Sequence, residues 1–270
     1  MKKTQKHNQS KQYPFIASCN TLSIHSPWRW LKKGLEDTLK APLISLTFGI
    51  IMASMVMIII TTAWKLGSAW IMLLILSGLV FIAPLACIGT YAISAQIERN
   101  QPVSMKRALK AGFKRYIANE LIFTLVLIVV FLIWARANSI ISIFLPINPD
   151  FSLQDMTTYL VILSLVCLLF LSIIFAASVF SLPMIMHRDV DAMTAVVTSI
   201  NATLKNKRVM LVWGTFIALT VILGILTAGL ALVFLLPIIG HAAWHGYLET
   251  INAEPFPRHE VGITAKPRKK

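Results

Sequence analysis

The sequence predicts an all-α, polytopic membrane protein in which six transmembrane helices form three hairpins, each preceded by a cytoplasmic amphipathic helix. Three observations predict this class: long uncharged apolar segments, a strong bias in the placement of basic residues, and a threefold recurrence of one helical pattern. The chain has 270 residues, of which 57% are hydrophobic and only 13% are charged. A soluble domain carries about twice that share of charged residues.

Five segments contain no Asp, Glu, Lys or Arg, and they hold 24, 32, 15, 32 and 40 residues. A hydrocarbon core about 30 Å thick requires about 20 apolar residues of helix. The first four segments predict spans near residues 43–64, 68–94, 117–135 and 157–186. The last is about twice the length of one span, so it predicts two spans, 209–226 and 230–247. They are joined by a turn at 227–229, where Gly229 supplies the backbone freedom.

The basic residues indicate the orientation of these spans. Six spans place 23 of the 25 Lys and Arg residues on one side and leave only Lys65 and Arg136 on the other. An excess of basic residues marks the cytoplasmic side. We therefore predict a multi-pass protein of the cell inner membrane with both termini in the cytoplasm. The predicted organisation is a disordered basic arm at 1–26, a six-helix membrane domain at 27–250 and a disordered basic tail at 251–270.

The membrane domain contains a predicted parallel repeat with units at about 27–98, 103–188 and 191–248. Each unit begins with a segment whose apolar residues recur at i, i+4 and i+8, which predicts an amphipathic helix in the plane of the lipid headgroups. The three apolar sets are Leu31, Leu35 and Leu39; Leu109, Phe113 and Ile117; and Val196, Ile200 and Leu204. The second span of each unit carries one proline that is predicted to kink the helix. These prolines are Pro84, Pro183 and Pro237.

Histidines near the cytoplasmic ends of two spans are the best candidates for chemistry. His241, His245 and Glu249 recur at i, i+4 and i+8, which places them on one face of a helix. His187 lies four residues beyond the proline of its span, as His241 does in the last span. If these two spans meet, His187, His241 and His245 are candidate ligands of a metal ion or haem.

Carboxylates accompany these histidines and leave three interpretations open, namely a ligand set, a polar transport or proton pathway, and structural pairing. Asp189, Asp191 and Glu249 would form a polar cluster with the imidazoles and orient ligating rings. Alternatively, the histidines snorkel, pair with Glu249 or bond a carbonyl freed by proline, while Asp191 caps the helix that follows it. No zincin motif is present, so no cofactor is expected and a metal or haem remains an alternative.

Motifs along residues 27–250 resemble a family of bacterial integral membrane proteins known only as domain-of-unknown-function family 2189. The motifs are Trp30-Leu31-Lys32-Lys33-Gly34 with Asp37, Pro42 with Ser45-Leu46-Thr47-Phe48-Gly49, Ala83-Pro84-Leu85 with Gly89-Thr90-Tyr91, His187-Arg188-Asp189-Val190-Asp191 with Thr194-Ala195, and Pro237-Ile238-Ile239-Gly240-His241-Ala242-Ala243-Trp244-His245. The resemblance implies an inner-membrane location and a six-helix fold. It implies no activity.

The sequence favours a non-enzymatic membrane component. Walker, Rossmann and Gly-x-Ser-x-Gly motifs are missing from it, and no ionised residue lies deep in a predicted span. We expect the lipid bilayer and anionic lipid headgroups, or a membrane-protein partner, to bind the basic cytoplasmic face. Nucleic acid is not expected, because the basic residues border the apolar segments. The alternatives are a small-solute permease or channel, and a metal- or haem-binding protein that uses His187, His241 and His245.

Overall fold

The structure is a computed structural model that describes residues 14–65, 87–108, 117–144, 153–227 and 229–258. These residues are mostly helical, as predicted. The elements in chain order are β1 (Ser18–Cys19), α1 (Ser26–Lys40), α2 (Pro42–Lys65), α3 (Ile88–Glu98), α4 (Ile117–Phe144), α5 (Leu153–Ser178), α6 (Ser181–His187), α7 (Ala192–Lys205), α8 (Lys207–Leu226), α9 (Leu230–Thr250) and β2 (Ile251–Asn252).

Four segments of the described chain are long and apolar enough to cross a membrane. They are Ile122–Ile141, Leu153–His187, Lys207–Leu226 and Leu230–Thr250. A fifth is added if α1 and the first part of α2, which meet at a bend of 107°, count as one broken element. The second predicted span, 68–94, lies outside the described residues except for its end, which belongs to α3. The prediction of several spans is confirmed, and the number six stays a prediction.

Where the predicted spans are described, the helix bounds follow them closely, apart from a longer third span and the break in the fourth. The helix α4 continues to Phe144, whereas the third span was predicted to end at 135 because Arg136 follows it. The side-chain amide of Asn138 and the hydroxyl of Ser139 donate to the carbonyls of residues four positions earlier, so the helix accommodates these donors beyond Arg136. Between α8 and α9, Gly229 has a φ of 87°, which a residue with a Cβ adopts only with strain.

The prolines do not have a common effect on their helices. Pro183 is the third residue of α6 and follows a break at residues 179–180 between α5 and α6. Pro237 lies inside α9, which continues without interruption from Leu230 to Thr250. Pro84 lies outside the described residues, as does most of the second predicted amphipathic helix around residues 109–116.

The last helix, α9, packs against α1, α2, α3 and α8. Glycines bring backbones together along these contacts. A Cβ on Gly34 of α1 would lie 2.5 Å from the Ile238 carbonyl oxygen and 2.8 Å from the Ala242 nitrogen. Helices in lipid associate through such close contacts, because lipid provides little hydrophobic force between them. The approach of α1 positions the polar residues described below.

The two ends of the described chain are part of the fold. Ser18 and Cys19 pair antiparallel with Asn252 and Ile251, and Phe256 is buried. The prediction of disorder at 1–26 and 251–270 is therefore wrong for the inner part of each segment. Residues 1–13 and 259–270 lie outside the described part. The short strand pair is also the exception to the all-α prediction.

Candidate functional site

A chain of hydrogen bonds connects five polar side chains where α1, α2 and α3 meet α9. We call this set, Ser45, His241, Ser94, Asp37 and His245, the buried hydrogen-bond chain. The Ser45 hydroxyl lies 3.0 Å from Nε2 of His241, and the Ser94 hydroxyl lies 2.7 Å from its Nδ1. The same Ser94 hydroxyl lies 2.8 Å from Oδ2 of Asp37, and Nε2 of His245 lies 2.8 Å from that oxygen.

The order of donors along this chain follows from elementary chemistry. An ionised Asp37 only accepts, so Ser94 and His245 both donate to it. Ser94 has a single hydroxyl proton, so its oxygen accepts from Nδ1–H of His241. With a neutral ring, Nε2 of His241 then accepts from Ser45. The three residues Ser45, Ser94 and His241 are each fully buried, and the order satisfies all of them.

This geometry does not assemble the predicted metal or haem site. Both ring nitrogens of His241 are occupied by serine hydroxyls, and His245 faces Asp37. His187 takes part in a different cluster, with Tyr247. Within the described residues, no group of three or more His, Cys, Asp or Glu side chains is arranged to hold a metal ion.

Glu249 bonds residues at the beginning of α1 rather than a histidine. Its Oε1 accepts from the Ser26 hydroxyl at 2.8 Å and from the Arg29 guanidinium at 2.5 Å. Its Oε2 accepts from the Trp30 indole N–H at 2.9 Å. The predicted alternative of pairing between Glu249 and a histidine is therefore replaced by a contact that joins the two ends of the membrane domain.

His187, the last residue of α6, packs against aromatic residues of α9. Its Nδ1 lies 2.9 Å from the Tyr247 hydroxyl, and its ring packs edge-on to Tyr247 and Trp244, with centroids 5.6 and 5.3 Å away. Arg188 follows and donates to the Phe256 carbonyl at 2.9 Å. The two predicted spans therefore do meet at this end, but through aromatic and arginine side chains.

Asp191 caps α7, as the interpretation of structural pairing expected. Its carboxylate accepts from the backbone N–H of Thr194 at 2.8 Å. Partial burial raises the pKa of this carboxyl, but bonds from the N–H and hydroxyl of Thr194 outweigh it, and the net pKa lies below its usual value. Asp189 is exposed, and its backbone N–H bonds the Pro257 carbonyl.

Replacing Asp191 with alanine is expected to lower the free energy of unfolding by about 1 kcal/mol, because α7 loses its N-terminal cap. Asp189→Ala removes a neighbouring exposed carboxylate and should change it by less than about 0.5 kcal/mol. Since the pKa of Asp191 is lowered by folding, its contribution is present above the unfolded pKa and is lost as pH falls through the folded one. Chemical unfolding in detergent at several pH values measures both effects, and equal losses in the two variants would contradict the cap.

The helix α1 has three distinct faces. Trp28, Leu35 and Leu39 form an apolar stripe that is 60%, 46% and 68% exposed. A row of exposed charges lies beside the stripe and consists of Arg29, Lys32, Lys33, Glu36 and Lys40. The third face is buried against the protein and contains Trp30, Gly34 and Asp37. An amphipathic helix in the headgroup plane keeps its charged residues on its polar face, so the burial of Asp37 against the protein departs from that prediction.

The helix α7 shows a similar division. Its Met193 and Leu204 are 60% and 56% exposed, while Ala195, Ser199 and Ala202 are fully buried. In the register of the predicted repeat, Ser199 corresponds to Gly34, which is buried in α1. Both helices therefore bury small or polar residues, joined in α1 by Trp30, and leave several large apolar side chains exposed.

Several long apolar helices with their large side chains turned outward define an integral membrane protein. The described parts of α4 and α5 expose most of their leucines and isoleucines, as lipid contact requires. The family model of domain-of-unknown-function family 2189 (DUF2189), described as a predicted integral membrane protein, matches residues 71–187. The resemblance found in the sequence motifs is thereby confirmed over this part of the chain. No curated protein and no solved structure matches significantly.

Proposed function

We propose that this protein is a non-enzymatic component of the cell inner membrane that binds anionic lipid headgroups through a basic cytoplasmic face. The observation that carries the proposal is the apolar stripe of α1 beside its exposed lysines. A helix with this pattern lies in the membrane interface, with apolar side chains among the acyl chains and cations at the phosphates. The stripe would otherwise expose Trp28, Leu35 and Leu39 to water.

The proposed topology has six spans as three hairpins, with both termini in the cytoplasm. The helices α1 and α7 lie on the headgroup plane, each preceding a hairpin. The exposed Met193 and Leu204 of α7 support this placement, and Lys205, Lys207 and Arg208 follow at the same end. Each basic residue near anionic headgroups contributes about 1 kcal/mol to the free energy of binding to the membrane.

A membrane-protein partner would occupy the same surface, but its binding would not depend on lipid charge. The permease alternative gains no support from the described residues. A recess on α5 is lined by Leu160, Val161, Leu165 and Leu168, with only Thr157 and Ser164 as polar groups.

The double variant Lys32→Gln/Lys33→Gln tests the proposal. We expect phosphatidylglycerol to raise the thermal unfolding midpoint of the detergent-purified protein more than phosphatidylcholine does. The difference should shrink at high salt, because exposed charges are screened. The double variant should lose a large part of this difference, since two cations next to the headgroups are removed.

Glu36→Gln is the matched control for the lysine variants. It changes an exposed charge on the same face of α1 but raises the positive charge, so the preference for phosphatidylglycerol should persist or increase. An equal response of the unaltered protein to both lipids would contradict the proposal.

A further inference from the structure

Two carboxylates hold α1 against α9, one near each end of α1. Glu249, close to the end of α9, accepts from three side chains near the beginning of α1. Asp37, about two turns further along α1, accepts from Nε2 of His245 in α9 at 2.8 Å. Between these two contacts, Gly34 lies against the backbone of α9. Because α1 is held at two separate points, it keeps one direction along α9.

The contact of Glu249 joins two faces of α1. Trp30 belongs to the buried face, and its indole N–H donates to Oε2. Arg29 belongs to the row of exposed charges, with a side chain that is 50% exposed, and its guanidinium donates to Oε1. Successive residues of an α-helix point about 100° apart around its axis. One carboxylate that binds both side chains therefore fixes the rotation of α1 about its own axis.

The rotation of α1 decides which of its side chains meet the lipid. In the proposed orientation, the apolar stripe of α1 reaches the acyl chains while Lys32 and Lys33 lie at the phosphates. The stripe and the lysines occupy different faces of α1, so a rotation that brings one of them deeper into the membrane withdraws the other. Both interactions are made together only over a narrow range of rotation.

We infer that Glu249 is a positioning residue for lipid binding, because it fixes α1 at the rotation that presents the apolar stripe and the lysines together. The inference rests on the proposed function and names a residue outside α1 on which that function depends. Glu249 is itself negative and partly exposed, so its charge alone would repel an anionic lipid. Its effect through position and its effect through charge therefore have opposite signs, which allows one measurement to separate them.

The experiment titrates the detergent-purified, full-length protein with phosphatidylglycerol or phosphatidylcholine and follows the thermal unfolding midpoint, which a ligand of the folded state raises. Glu249→Gln keeps the size of the side chain and one acceptor oxygen, but Arg29 loses its ion pair. We expect the apparent Kd for phosphatidylglycerol to rise about tenfold or more, because the lysines leave the phosphates. Loss of the charge alone would lower this Kd.

Glu36→Gln is the matched control, because it makes the same change in net charge at an exposed carboxylate of α1 that does not contact α9. Its apparent Kd for phosphatidylglycerol should stay the same or fall. The double variant Arg29→Gln/Glu249→Gln restores the original net charge but not the contact, so its Kd should stay as high as that of Glu249→Gln. Recovery of the original Kd in the double variant would show that only local charge matters, which overturns the inference.

Glu249→Asp is a milder variant that tests the same inference without any change in charge. It retracts the carboxylate by one methylene group, so the contacts with α1 weaken while the repulsion of anionic lipid remains. We expect weaker binding of phosphatidylglycerol in this variant too. If the midpoint falls equally in both lipids and the preference between them is unchanged, Glu249 acts on stability alone and the inference is overturned.

The unaltered protein separates this inference from the proposed function. An equal response of the unaltered protein to the two lipids overturns both. A preference for phosphatidylglycerol that Glu249→Gln leaves intact or strengthens keeps the proposed function and overturns the role of Glu249.

Discussion

Replacing Asp37 with alanine is expected to lower the free energy of unfolding by about 3–5 kcal/mol. Asp37 is 3% exposed, and its Oδ2 accepts from both Ser94 and His245. Without the carboxylate, the buried Ser94 hydroxyl and the partly buried His245 ring lose their acceptor. Ser94 also fixes the donor order at His241, so the loss extends along the buried hydrogen-bond chain.

Chemical unfolding in detergent micelles measures this effect, and two further variants define it. Asp37→Asn keeps the shape of the side chain and one acceptor oxygen, so it should lower the free energy of unfolding less than Asp37→Ala does. Glu36→Ala removes the adjacent exposed carboxylate and should change stability by less than about 0.5 kcal/mol. If Asp37→Ala lowered the free energy of unfolding no more than Glu36→Ala, Asp37 would not be an important acceptor in the buried hydrogen-bond chain.

The apolar helices were predictable because each is encoded locally. The uncharged segment at 209–248 is too long for one span, and within it Gly229 takes the positive φ that a turn between two helices needs. The resulting helices, Lys207–Leu226 and Leu230–Thr250, differ from the predicted spans by a few residues. Length and residue type were sufficient here, since hydrocarbon thickness sets the scale.

The position of Asp37 was not predictable from a two-face pattern. A helix that contacts lipid, water and protein has three faces, and periodicity separates only apolar from polar residues. A signal was present, because Trp30, Gly34, Asp37 and Ala41 recur at helical spacing and combine one large residue with small and polar ones. Such a stripe is typical of helix contacts in membranes.

The spacing of the histidines predicted that they share one face of a helix, but it did not predict which side chains they bond. His241 and His245 do share a face of α9. The serines that bond the His241 ring, Ser45 and Ser94, lie within apolar segments of the sequence, where nothing distinguishes them. Which serine meets which ring nitrogen depends on how α2 and α3 pack on α9, and one sequence does not contain that information. The β1–β2 pair was missed for a related reason, since two residues per strand carry no detectable periodicity.

Gly49→Ala is expected to lower the free energy of unfolding by about 1–3 kcal/mol, because α2 would be forced away from α9. Pro237 has no N–H, so the carbonyl of Val233, four residues earlier, lacks its helical partner. Gly49 lies against this carbonyl, and a Cβ there would collide with its oxygen and lie 2.9 Å from Cγ of Pro237. The absence of a side chain therefore allows the backbone of α2 to cover a freed carbonyl.

Gly214→Ala is the matched control, because a Cβ at Gly214 of α8 meets nothing within 4 Å. It should leave stability unchanged or raise it by up to about 1 kcal/mol, as alanine favours helix over glycine. Unfolding in micelles measures both variants.

The double variant Gly49→Ala/Pro237→Ala restores the N–H that bonds Val233 but keeps the added methyl group. If the cost is steric, the double variant should remain destabilised. Full recovery would instead show that the exposed carbonyl, rather than the distance between the helices, determines the requirement for glycine.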